Sequence, residues 1–311
     1  MWGKFNVTVC YIPLGVIKMV EIRKPAVAGQ FYPGSKDGLQ QQITECFMDK
    51  RGCGIIPKIG SGEKDIKGLV VPHAGYIYSG AIASYAYHHL AAHGFAETFI
   101  ILGPNHTGAG SGVSVMTEGM WETPLGNIPI NSDLAQKIHT GIVDSDETAH
   151  RHEHSIEVQL PFLQFIAKEK MFDFVPVCMM MQDVETAAEV GLILAEAIQK
   201  TPKKTIVIAS SDFSHAGFNY MSMPPEGMRV DSYAEKQDHL AIEKILALDP
   251  KGLIETVHDN GITMCGYGPV ASMLVAAKKL GTTKAELLKY GTSYEVHPNT
   301  SCVGYGALVV Y

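Results

Sequence analysis

Five short runs of β-branched and apolar residues, with longer amphipathic stretches between them, constrain this chain more than any other feature. The runs cover residues 68–71, 98–102, 172–177, 205–209 and 302–310. Each is short, rich in Val, Ile, Leu or Phe, and bounded by turn residues, which reads as a strand covered on both faces. Helical periodicity predicts helices over 79–93, 132–139, 155–168, 184–199, 233–248 and 269–280. Gly94 supplies a stop for the first of these, and Ser155 is a candidate N-cap for the third. Strands alternating with helices imply an α/β domain with a mostly parallel central sheet and helices on both faces. In such sheets ligands bind beyond the carboxyl ends of the strands.

A chain of 311 residues can bury a large core without disulfide or metal staples. Its formal net charge is -7, and no basic stripe with interleaved aromatics runs along it, which argues against a nucleic-acid partner. No apolar run reaches the roughly 18 residues a membrane span needs. The six cysteines include no C-x-x-C pair and are too sparse for a disulfide scaffold, so a reduced, cytoplasmic protein is expected. Pro13 and Gly15 interrupt the apolar start of the chain, so it does not read as a signal peptide. Met19 is an alternative start. Residues 1–18 then read as an N-terminal extension to a single domain over 19–311.

Three of the predicted strands end in clusters that carry a histidine. They are Pro72-His73-Ala74-Gly75-Tyr76, Leu102-Gly103-Pro104-Asn105-His106 and Ser210-Ser211-Asp212-Phe213-Ser214-His215. Glycine and proline there permit sharp turns. One such histidine is usually a satisfied structural group, but three at equivalent places point to a shared polar pocket. A fourth cluster, His150-Arg151-His152-Glu153-His154-Ser155-Ile156-Glu157, precedes a helix. The helix dipole accounts for its acids but not for its three histidines. Cys265, in Met264-Cys265-Gly266-Tyr267-Gly268-Pro269, falls just before a helix start, where free N–H groups favour a metal-binding thiolate.

On these residues the chain resembles the Memo family, whose bacterial and archaeal members are also called AmmeMemoRadiSam system protein B. The resemblance runs from about Arg23 to the C-terminus. It begins with Arg23-Lys24-Pro25-Ala26-Val27-Ala28-Gly29-Gln30-Phe31-Tyr32-Pro33 and continues through the histidine clusters, Glu153-His154-Ser155-Ile156-Glu157 and Cys265-Gly266. The family is similar in fold to the class III extradiol, LigB-type dioxygenases, which hold a non-haem iron by two histidines and a glutamate. The resemblance implies that His73 and His106 take the histidine positions, with Cys265 in place of the carboxylate. It also implies that His154, Asp212 and His215 line the pocket, with His154 or His215 moving protons. A thiolate in that position changes the ligand field and is itself oxidisable, so the dioxygenase reaction does not follow from the fold.

The expected function is a transition-metal redox protein, with Fe(II) first and Cu or Zn as alternatives. Asp212 is expected to accept a ring N–H from a ligand histidine. Two other readings stay open: a non-catalytic binder of a peptide or small ligand, and a hydrolase using metal-activated water. The family's name also hints at a pathway shared with a radical-SAM protein. Ser210, Ser211 and Ser214 lack the G-x-S-x-G setting of a serine nucleophile. Met179, Met180 and Met181 read as core or pocket filler. Tyr76, Tyr78 and Trp121 read equally as packing or pocket lining. His88, His89 and His93 read as surface residues, and His297 as a loop residue.

Overall fold

The structure, a computed structural model, describes residues 21–311 apart from position 63. The expected extension over 1–18 lies outside the described residues. In chain order the elements are β1 (Ile22–Arg23), α1 (Lys36–Met48), β2 (Gly68–Val71), α2 (Tyr76–Gly94), β3 (Thr98–Pro104), β4 (Val113–Val115), β5 (Met120–Thr123) and β6 (Gly126–Pro129). Then come α3 (Ser132–Ile138), β7 (Asp144–Ser145), α4 (Leu160–Ala167), β8 (Asp173–Met179), α5 (Val184–Gln199), β9 (Thr205–Ser210) and β10 (His215–Gly217). The chain closes with α6 (Val230–Leu246), α7 (Pro250–Asp259), α8 (Tyr267–Lys279), β11 (Ala285–Thr292) and β12 (Ser301–Val310).

Nine of the strands form one sheet in the order β10-β12-β2-β9-β3-β8-β4-β7, with β11 also on β12. Its centre, β2-β9-β3-β8, is parallel throughout. These four strands are almost wholly buried, as expected for a sheet sandwiched between helices. Gly68 faces α8, where an added Cβ would sit 2.4 Å from the Met273 sulfur. Leu69 and Val71 therefore face the other side. α8 covers β2, β9 and β3 with α5 against it, while α2 covers β12 and β2 with α1 and α4 against it. One large apolar cluster joins these layers, so the α/β reading holds.

Several expectations need correction. The strand expected over 302–310 runs antiparallel to β2, pairing Leu308 with Val70, so the sheet is mixed. The helix expected over 155–168 begins as a 3-10 turn at Glu157 and becomes α-helical only at Leu160. Ser155 does not cap it. Its hydroxyl donates instead to the Pro104 carbonyl at 2.9 Å. α2 starts at Tyr76, three residues before the expected Ser79, and α7 follows α6 as a separate helix. No helix among the described residues is long and apolar enough to cross a membrane.

Candidate metal centre

β2, β9 and β3 are neighbours, and their carboxyl ends deliver the three strand-end clusters to one place. His73 follows β2, Ser210 to His215 follow β9, and His106 follows β3. Cys265 arrives from the turn before α8. Gly266 allows that approach, since a Cβ there would lie 2.6 Å from the Ser210 carbonyl oxygen. Gly103 does the same for the loop carrying His154, since a Cβ there would lie 2.3 Å from the Ser155 hydroxyl.

The structure brings His73, His106 and Cys265 together, with one ligand atom of each within 4.8 Å of the others. His73 Nε2 lies 3.1 Å from Cys265 Sγ. The His73 and His106 rings meet edge-on at 5.2 Å. His154 stacks on His106 at 4.7 Å and lies edge-on to His73 at 5.5 Å. All three histidines, with Asp212 and His215, line a cavity of about 420 Å³. His215 Nδ1 lies 3.1 Å from both the Phe213 and Thr263 carbonyl oxygens. Carbonyls only accept, so Nδ1 carries the proton and a neutral His215 has a bare Nε2.

Glu153 does what was expected of Asp212. Its Oε1 pairs with His106 Nδ1 at 3.0 Å and accepts the His154 and Ser155 main-chain N–H groups, both at 2.8 Å. Its Oε2 accepts the His106 main-chain N–H at 2.5 Å. Asp212 touches no imidazole in this way. Its Oδ1 accepts the main-chain N–H groups of His73 at 2.7 Å and Ala74 at 3.3 Å. The ring of His73 turns instead to the Ser210 hydroxyl, 3.0 Å from Nδ1. An acid set between two histidines, His152 and His154, was the available signal for Glu153, and the helix-dipole reading of that acid obscured it.

Burial governs the charges. It pushes His73 well below its usual range, with His106 and His154 adding to the effect. It brings His154 down to about 4, against the pull of Glu153. Burial alone would raise Glu153. The hydrogen bond and charge of His106, the charge of His154 and the Ser155 N–H together hold it at about 2. Burial raises Asp212. It also raises the Cys265 thiol, with Asp212 adding to the rise, so the helix start at Tyr267 does not produce a free thiolate. Two imidazoles and a protonated thiol form a donor set that fits a divalent cation, which would supply the charge the thiolate needs.

The N-terminal motif forms part of the wall. The buried Glu157 carboxylate pairs with Arg23 and accepts from the main chain of Ala26 and Val27 and from the Tyr32 hydroxyl. This pins the strap that sets Phe31 against His154, ring to ring at 4.7 Å. Tyr78 and His297 also line the cavity, while Tyr76 is buried and donates to the Val158 carbonyl. Trp121 is buried beneath the Arg23 guanidinium. Ser210 and Ser211 are buried with their hydroxyls committed to the Ser155 and Asp212 carbonyls. Met179 is core, but Met180 and Met181 are exposed. His88, His89 and His93 are half-buried rather than surface residues, and His89 Nε2 meets the Tyr311 hydroxyl at 2.6 Å.

The family model for Memo-like proteins matches residues 23–309. A MEMO1 family protein of Methanopyrus kandleri is 46% identical over 290 residues, covering 92% of this chain and 98% of the relative. Another, from Methanothermobacter thermautotrophicus, is 46% identical over 290 residues, covering 92% and 99%. A third, from Methanocaldococcus jannaschii, is 45% identical over 300 residues, covering 94% and 100%. A solved structure of an uncharacterized Escherichia coli K12 protein aligns at a TM-score of 0.49 and 13% identity, covering 79% of this chain and 100% of that one. So remote a likeness says nothing of the site. With the family model spanning nearly the whole chain and relatives this similar along their full length, the chain belongs to the Memo family.

Proposed function

We propose that this protein holds a transition-metal ion on His73, His106 and Cys265 and performs a redox step on a small molecule in the adjoining cavity. The observation that carries the reading is the convergence of two imidazoles and one thiol beside a polar cavity of about 420 Å³. Fe(II) is the preferred ion, with Cu or Zn as alternatives, because a three-ligand set with open positions suits metals that also bind substrate. The bound ion would supply Lewis acidity and, for iron or copper, a one-electron couple.

The chain's own residues have separable roles. Glu153 orients His106 through Nδ1, and Asp212 fixes the turn that carries His73 through its main-chain N–H. His215, with its Nδ1 proton committed to two carbonyls, presents Nε2 as a proton acceptor for a ligand in the cavity. His154 is the alternative. Its stacking on His106 and its neutral state at pH 7 suit a wall of the site more than a proton carrier. No Lys or Arg lines the cavity among the described residues, so positive charge for a ligand would come from the bound ion.

The test is metal analysis of protein purified without oxygen and without a histidine tag, comparing wild type with Cys265→Ala. Near-stoichiometric iron or copper, lost in the variant, is expected. Zinc lost in the variant would move the reading to a hydrolase. A wild type that takes up no metal even on reconstitution would sink both and leave a ligand-binding protein.

A further inference from the structure

His73 is the most deeply buried of the cavity histidines, and what holds its ring is a hydroxyl. The Ser210 Oγ has three partners, and their chemistry dictates where every proton lies. Ser210 Oγ lies 2.6 Å from the Ser155 carbonyl oxygen, which only accepts, so the single hydroxyl proton points there. Gln159 Nε2 lies 2.8 Å from Ser210 Oγ and 3.0 Å from the Pro72 carbonyl oxygen. The second partner only accepts, so this atom is the amide nitrogen, and it donates to Ser210. The Tyr87 hydroxyl, 2.5 Å from Gln159 Oε1, completes the chain by donating to the amide oxygen. With its proton spent on Ser155, Ser210 Oγ has only a lone pair left for His73 Nδ1 at 3.0 Å. His73 must therefore carry its proton on Nδ1.

We propose that Ser210, itself oriented by Gln159 and Tyr87, is a positioning residue that locks His73 in the Nδ1–H tautomer and so keeps Nε2 bare toward Cys265 and the cavity. The lock is a property of the metal-free protein. Only its consequence for cation affinity rests on the metal reading given above. Every member of the chain is buried, so no water competes for these hydrogen bonds and the direction of each is held. The same loop serves both histidines: Glu153 holds His106 through its carboxylate, and Ser155 reaches His73 through Ser210.

The experiment reads the histidine tautomer directly, by nitrogen NMR of histidine-labelled, metal-free protein. Cobalt(II) affinity by chelator competition is the second readout. Wild-type His73 is expected as the Nδ1–H form. Ser210→Ala is expected to give a mixture of tautomers and about a ten- to hundredfold loss of cobalt affinity. Ser210→Thr, which keeps the hydroxyl, should restore both. If Ser210→Ala does not fold, Tyr87→Phe removes only the far end of the chain and should shift the tautomer ratio in the same direction. A wild-type His73 protonated on Nε2 overturns the proposal, as does an affinity loss with no tautomer change, which would mark a merely structural role. If wild type binds no cobalt, the metal reading fails while the tautomer still decides this one.

Discussion

His73 and His106 stand at the ends of strands that flank β9, and the protein holds their main chains alike but their rings differently. Each has a carboxylate on its own N–H: Asp212 at 2.7 Å for His73, and Glu153 at 2.5 Å for His106. Only Glu153 continues to the ring, with its second oxygen on Nδ1. Asp212 spends the same oxygen on the Ala74 N–H and leaves its histidine's ring to Ser210. The two rings also differ in exposure. The His106 side chain is 34% exposed, while the Glu153 carboxylate behind it is 1% exposed and is kept ionised by His106 and the main-chain N–H groups it accepts. His73 is 2% exposed, and a second charge on its ring would go unsolvated. A neutral hydroxyl gives direction without charge. One socket tunes the basicity of its histidine, and the other only aims it.

The comparison can be broken most forcefully at Glu153. Its carboxylate is 1% exposed, and truncation strands the buried N–H groups of His154 and Ser155. Glu153→Ala should cost about 3–5 kcal/mol in denaturant unfolding. A cost under about 1 kcal/mol would mean that the main-chain N–H groups do not depend on this carboxylate.

Isosteric variants sharpen the contrast. Glu153→Gln should weaken cation binding by about ten- to hundredfold. Asp212→Asn, which leaves the His73 ring contact to Ser210 untouched, should weaken it less. Equal losses would show that the two carboxylates act alike and that the ring contact is incidental.

The pH dependence of cation uptake tests the third ligand. Burial raises the Cys265 thiol, so the thiol must give up its proton to bind. Affinity should rise by about tenfold per pH unit around neutrality in wild type. In Cys265→Ser that slope should be lost together with most of the affinity. An unchanged slope in the serine variant would place the released proton elsewhere.

The pH profile of stability separates two buried acids by the sign of their dependence. Glu153 is held at about 2, below its ordinary 4.5, so its contribution is present above about 4.5 and is lost as pH falls toward 2. Asp238 goes the other way. Burial lifts it from 3.8 to about 6, against hydrogen bonds from the Ser214 N–H and the Tyr290 hydroxyl. The folded state then binds the proton more tightly, so stability falls as pH rises from about 3.8 through 6. Unfolding measured across that window should flatten in Asp238→Asn. A wild-type curve already flat there would contradict the raised Asp238.

Much of the scaffold was legible from periodicity. The core strands β2, β3, β8 and β9 and helix α5 appear where β-branched runs and the 3.6-residue repeat put them, because burial on both faces leaves little choice of residue. α7 was legible in principle. Asp249 caps it by accepting from Gly252, and Pro250 opens it, but it follows α6 without a glycine to mark the break. The strands β1, β4, β5, β6 and β7 are two to four residues long, too short for alternation to show.

The sequence by itself determined the fold class, the family and the convergence of histidines at strand ends, because motif identity and hydrophobic period are local properties of a chain. Only the tertiary structure decided which acid meets which ring, why Ser155 bonds a strand end instead of capping a helix, and that Ser210 must accept from His73. Those outcomes depend on atoms 47 to 137 residues apart approaching within hydrogen-bonding distance. A hydrogen bond's direction is settled by all of its partners at once, and no stretch of sequence contains them together.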